Sequence, residues 1–191
     1  MLLTGQNGER ELHPEGLFPA VCILMANIGT QRTPYQNEDG TDKVQKKIVL
    51  GFETEKGVIS RELTMSIGEK SNLRAILESW RGKKFTAEEL EGFDPSVLLG
   101  KPCTVQVMHN DKGTFANISN VLPKTGDFKA TKVGVIYDID EHDDGSFEKL
   151  PAWIQNKVRE SFEWDKVNKT SDIEPEYTDE DAPIDLSEVP F

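Results

Sequence analysis

The side chains best suited to nucleophilic, acid–base or metal chemistry are scattered along this chain. His13, His109 and His142 stand far apart in sequence, and none belongs to a paired-ligand motif such as HExxH. Cys22 and Cys103 sit inside apolar runs, without CxxC or Cys/His spacing, and read as reduced core residues. Gly68-Glu-Lys-Ser71 echoes a phosphate loop, but Glu69 interrupts the Gly-Lys-Ser/Thr core that such a loop needs. The acidic cluster from Asp138 to Asp144 is the best metal candidate, and a metal-dependent nuclease built on it is one reading of the chain. Registered as a calcium loop from Asp140, however, it puts His142 at the third position and Pro151 where the bidentate Glu belongs. A solvated acidic connector suits it better, so the sequence predicts no enzyme, no metal and no cofactor.

What remains is the chemistry of binding, and that depends on the elements that carry it. Residues 17 to 28, LFPAVCILMANI, form a nearly unbroken apolar run between Gly16 and Gly29 and predict a buried first strand. Pro19 pushes its predecessor towards extended geometry, which argues against a helix. The polar segment Thr30 to Asp42 predicts a long loop or hairpin tip turning at Asp39-Gly40. Lys46 to Thr54 and Val58 to Ile67 alternate as half-buried strands, with Ile59, Leu63, Met65 and Ile67 on one face of the latter. Gly51, in mid-strand, predicts a bulge or bend of the kind that curls a sheet.

The period then becomes helical. Ser66-Ile-Gly-Glu69 reads as a capping box, Leu73, Ile76, Leu77 and Trp80 follow the spacing of one helix face, and Gly82 lies just past the end. Thr86 to Glu89 and Asp94-Pro95 predict short helical turns, before strands resume at Cys103 to Met108 and Thr114 to Leu122 around a turn at Asn110 to Gly113. Strand, strand, strand, helix, strand, strand predicts a mainly β OB-fold, a five-stranded barrel with its helix between strands 3 and 4. Other five-stranded barrels share this periodicity. Val133 to Ile139 predicts an added edge strand, and residues 147 to 164 a further helix, with Ile154, Val158 and Phe162 on one side, that docks on the barrel or on a partner.

Charge divides the chain more sharply than hydropathy. Residues 1 to 135 hold 17 Lys and Arg against 17 Asp and Glu, so the net charge of -12 belongs entirely to residues 136 to 191. From Thr170 onward there are eight carboxylates and no basic residue, a composition that predicts disorder. The expected division is a flexible N-terminus (1–14), an OB-fold (15–135), an acidic connector with its docking helix (136–166) and a disordered acidic tail (167–191). No run approaches the roughly 20 apolar residues of a membrane helix, which predicts a cytoplasmic protein that makes no membrane contact.

An OB-fold binds through strands 2 and 3 and the loops joining strands 1 to 2 and 4 to 5. Arg32, Tyr35, Lys43, Lys46 and Lys47 fall in or beside the first of those loops, and Lys112 and Phe115 in or beside the second. Lys and Arg meet phosphates, while an aromatic face stacks a base for roughly 1 to 3 kcal/mol without reading its sequence. This pairing points to unpaired nucleic acid strands. Phe115 suits a core as well as a stacking platform, Arg61 shares the parity of apolar residues, and Trp80 lies on a helix's apolar stripe. At the other end of the chain, Asp185, Leu186, Glu188, Val189, Pro190 and Phe191 offer an apolar anchor beside a carboxylate, which together can enter a pocket rimmed by cations.

With Ser187-Glu188-Val189-Pro190-Phe191, the tail resembles that of bacterial and phage single-stranded DNA-binding proteins, whose acidic linkers end in Asp-Asp-Ile-Pro-Phe-like tips. The body is similar to a phage or prophage replication-module family in Glu15-Gly-Leu-Phe-Pro-Ala20, Glu69-Lys-Ser-Asn-Leu-Arg74, Trp80-Arg-Gly82, Leu99-Gly-Lys-Pro-Cys103, Phe115-Ala-Asn-Ile118 and Leu150-Pro-Ala-Trp153. The resemblance implies a phage-type protein that coats single-stranded DNA in the bacterial host cytoplasm and recruits replication or recombination proteins through its tail. The strand motifs of the bacterial housekeeping protein are missing, so its tetramer is not implied. The competing expectation is an OB-fold adaptor that binds proteins and never touches DNA.

Overall fold

Strand β1 (Gly16–Gln36) organises the molecule. In the structure, a computed structural model that describes residues 12–171, it is joined on one edge by β2 (Asp42–Thr54), antiparallel from Ala20 to Gln36. On the other edge it pairs first with β4 (Pro102–His109), antiparallel over Gly16 to Val21, and then with β6 (Val135–Asp138), parallel over Leu24 to Asn27. β3 (Gly57–Thr64) extends the sheet beyond β2, and β5 (Ala116–Leu122) extends it beyond β4. The result is a mainly β, six-stranded sheet in the order β3-β2-β1-β4-β5 with β6 attached to β1.

The unbroken apolar run of β1 is explained by two cores, one on each face. Ala20, Cys22 and Met25 point into the first with Leu50 and Phe52 of β2, Val105 and Val107 of β4, and the helix residues Leu77 and Trp80. Leu24, Ala26 and Ile28 point the other way with Val49, into a second core closed by Tyr137, Ile139, Phe147, Leu150, Ile154 and Val158. A strand buried on both sides has no polar face to alternate with. Cys22 and Cys103 are free and buried, and burial pushes the Cys22 thiol up to about 12, which leaves it an unreactive core residue. The register of β1 shifts between Cys22 and Leu24, opposite Gly51. A Cβ at Gly51 would lie 2.9 Å from that of Leu24, so the glycine permits the close approach at which the sheet bends.

β3 and β5 run parallel and close together, but no ladder joins them. The side chain of Arg61 spans the seam, its Nη1 donating to the carbonyls of Ile118 at 2.6 Å and Ser119 at 3.0 Å. Helix α1 (Asn72–Arg81) packs against β5 with Leu73, Ile76, Leu77 and Trp80 buried, and ends at Gly82 in the left-handed conformation. Its N-cap corrects one expectation. Ser71, not Ser66, caps the helix by accepting the Arg74 N–H; Ser66 lies too early, its Oγ taking the Gly68 N–H and its carbonyl the Ser71 hydroxyl. The box at Thr86 does form, at the start of α2 (Ala87–Glu91), with both reciprocal bonds in place.

The segment after β5 returns to the sheet twice. Residues 131 and 132 cross β2 and are held there by Glu53, which accepts both backbone N–H groups, at 3.0 and 2.9 Å, and the Thr131 hydroxyl. Beyond β6, the one-turn helix α3 (Asp144–Phe147) and α4 (Ala152–Arg159) lay Phe147, Ile154 and Val158 onto the outer core, and α5 (Trp164–Ser171) stacks Trp164 on Phe147. Phe162 stays half exposed beside this unit. Among the described residues no helix is long and apolar enough to cross a membrane.

Candidate nucleic-acid interface

β1 and β2 continue past the sheet as a hairpin, so Arg32, Tyr35 and Lys43 lie on strands rather than in a loop. The tip turns at Gly40 (φ 82°), and Asp39 accepts from the Thr41 backbone at 3.0 Å and from its hydroxyl at 2.6 Å. Thr33 Oγ1 donates across the pair to the Lys43 carbonyl at 2.8 Å. The register shifts again between Arg32 and Gln36, which places Tyr35 in an irregular stretch that turns its ring outward, 70% exposed.

The hairpin joining β4 and β5 is tied by Asn110. Its Oδ1 accepts the N–H groups of Thr114 at 2.8 Å and Phe115 at 3.0 Å, and its backbone pairs with the Phe115 carbonyl. Phe115 stands 66% exposed and is no part of the core, with Met108 half exposed on the same hairpin and Lys112 exposed in the turn. A large exposed ring anchored through its own backbone is an ordered platform, which lowers the entropic cost of stacking on it.

The structure does not bring the two groups into one patch. Gly16 pairs with Val107 and Gln36 with Asp42, so the β4–β5 turn lies by the start of β1 and the β1–β2 tip by its end. The strands between are covered on their outer face by the unit built from β6, α3 and α4, and the turn after β6 engages one candidate cation. Lys46 Nζ is hydrogen-bonded to Asp140, which with Asp138 also accepts from Asn27. Lys47 donates to Gln45 Oε1 at 2.9 Å and Thr64 Oγ1 at 3.2 Å. Arg32 lies 3.8 Å from Asp42 and 5.6 Å from the Phe162 ring centre. Lys43 and Lys112 are exposed and make no ion pair among the described residues.

The remaining chemical candidates have structural duties. Asp143 accepts the Ser146 N–H at the start of α3, and Asp144 faces His142 at 3.3 Å. His142 is enclosed by Tyr137, Phe147 and Trp164, while His109 reaches the His13 carbonyl at 2.8 Å and His13 Nε2 reaches Thr54 Oγ1 at 2.7 Å. Two histidines far apart in sequence thus meet, through a ring nitrogen and a backbone carbonyl. No three His, Cys, Asp or Glu side chains gather in a metal-binding cluster among the described residues. Sequence reasoning passed over Met108, although it shares the parity of the polar Thr104 and Gln106, and the exposed Trp153 and Phe162 of the C-terminal unit. Asp185, Leu186, Glu188, Val189, Pro190 and Phe191 lie outside the described residues.

A scan against protein-family models and a search of curated proteins return no match for this chain. The functional reading therefore rests on the residues and their placement.

Proposed function

We propose that this chain is an OB-fold protein that binds single-stranded DNA without sequence preference, in phage-type replication or recombination. One observation carries the reading: two pre-ordered hairpins, at opposite ends of β1, each present an exposed aromatic ring beside unpaired or weakly paired cations, Tyr35 with Arg32 and Lys43, and Phe115 with Lys112. Rings stack on bases and cations meet phosphates, and neither contact depends on base identity. The OB assignment draws support from the helix between β3 and β4, from β1 shared between β2 and β4, and from the parallel approach of β3 to β5 across the Arg61 seam.

Because the outer face of β1 and β2 is occupied, the strand runs between hairpins and along the rim, with Lys46 and Lys47 as peripheral contacts. Tyr35→Ala and Phe115→Ala should each weaken oligothymidylate binding by about 1 to 3 kcal/mol, read by fluorescence anisotropy, with the melting temperature unchanged. Full affinity in the double variant would remove the stacking account.

The covered sheet face favours a second reading, in which the barrel is a protein-binding adaptor. That reading predicts no salt-dependent retention on single-stranded oligonucleotides and no effect of Lys46→Glu with Lys47→Glu.

A further inference from the structure

A cleft of about 470 Å³ opens where β2 and β3 meet the loop leading into α1, and none of the hairpin-tip residues lines it. Three cations do: Lys47, Arg61 and Lys70. Among the described residues none of them makes an ion pair. Lys47 is bonded to neutral oxygens alone, and Arg61 uses one nitrogen on the Ile118 and Ser119 carbonyls. Of the carboxylates on the cleft, Glu62 is bound by Lys157 at 2.6 Å and Glu69 points from the exposed loop.

Arg61 is the informative member. Its guanidinium is partly withdrawn from water, and burial pulls its pKa down, yet no anion answers the charge. A desolvated cation without a counter-ion is costly, and a bound anion would offset that cost. The loop Gly68 to Ser71 and Asn72, the first residue of α1, close the same cleft; within that loop the Gly68 N–H is taken by Ser66 Oγ and the Ser71 N–H by the Gly68 carbonyl, so the three cations carry the positive side. Its volume exceeds what a bare ion needs and falls within the range of small-ligand pockets, roughly 300 to 1,000 Å³.

We propose that this cleft binds the phosphate group of a nucleotide, held by Lys47, Arg61 and Lys70. The site itself stands on its own geometry; only the expectation that the nucleotide belongs to a DNA strand rests on the single-strand reading. Phosphate of this chemistry comes either from a strand's 5′ end or from an internal phosphodiester.

The test uses the full chain, ¹⁵N-labelled and titrated with inorganic phosphate, thymidine 5′-monophosphate, and oligothymidylate with and without a 5′-phosphate. The amides of Gly68 to Asn72 should shift saturably with the monophosphate, and Lys47→Gln with Lys70→Gln should weaken that binding at least about tenfold while leaving Arg61 and the seam in place. Absence of a saturable shift, or an unchanged midpoint in the double variant, overturns the proposal. A response to both oligomers identifies an internal phosphodiester, and a response to the 5′-phosphorylated one alone identifies a strand end. If oligomers move the amides of Tyr35 and Phe115 but no phosphate probe moves 68 to 72, the cleft inference fails alone. Shifts at 68 to 72 with none at the hairpins under any oligomer would leave the cleft standing and remove the hairpin stacking account.

Discussion

Glu53 faces outward from β2 and is nevertheless buried, because residues 131 and 132 cross over it and donate three hydrogen bonds to its carboxylate. Those bonds, the Thr131 hydroxyl foremost, and the nearby charge of Lys132 hold its pKa below the ordinary carboxylate value. A depressed folded pKa means a stabilising contribution that is fully present above the unfolded value of about 4.3 and is lost as pH falls through the folded value. Glu53→Gln should cost about 1.5 to 3 kcal/mol in urea unfolding at pH 7, as expected for hydrogen bonds to a charged acceptor. The gap between the two proteins should narrow in acid; a gap independent of pH would show that the strap is not held by the ionised group. At the same scale, a sequence reader sees Glu53 only as the polar member of an alternating strand, since its partners lie 78 and 79 positions away.

Helix α4 is the element that decides which face of the sheet is available. Ile154 and Val158 are fully buried against the outer side of β1, and Lys157 reaches Glu62 on β3. Ile154→Ala should destabilise the protein by about 2 to 5 kcal/mol, measured by thermal or urea denaturation. A loss under about 1 kcal/mol, the range of exposed sites, would mean that α4 only rests on the sheet. Docking of this helix was legible from the spacing of Ile154 and Val158, and so were the turn at Gly40 and the buried stripe of α1. The extent of β1 was not: Thr30, Gln31, Arg32 and Thr33 carry no apolar alternation, and the hairpin arm is held by backbone pairing and by polar side-chain bonds such as Thr33 Oγ1 to the Lys43 carbonyl. The fate of Lys46 was equally hidden. Its partner Asp140 arrives through the parallel crossover of β6 onto β1, a pairing that no local pattern encodes. Tyr35 and Phe115 were singled out because their neighbours are charged, but only the hairpin geometry separates Phe115 from the core.

At the scale of the whole chain, charge is segregated: residues 1 to 135 are balanced and residues 136 to 191 carry the net charge of -12. An anionic segment tethered to a DNA-binding body competes with phosphates for its cations. Deleting the last nine residues should therefore preserve or tighten oligonucleotide binding while abolishing capture of replication proteins in a pull-down, and undiminished capture would contradict a partner-binding role for Phe191.

The central claim, that a protein of acidic net charge grips unpaired strands, is tested most directly by fluorescence titration of the full chain with single- and double-stranded oligonucleotides at two salt concentrations. The account predicts binding to the single strand well above the duplex, weakening as salt rises because phosphate contacts release counterions. Equal affinity for both forms, or no salt-dependent binding to either, would contradict it.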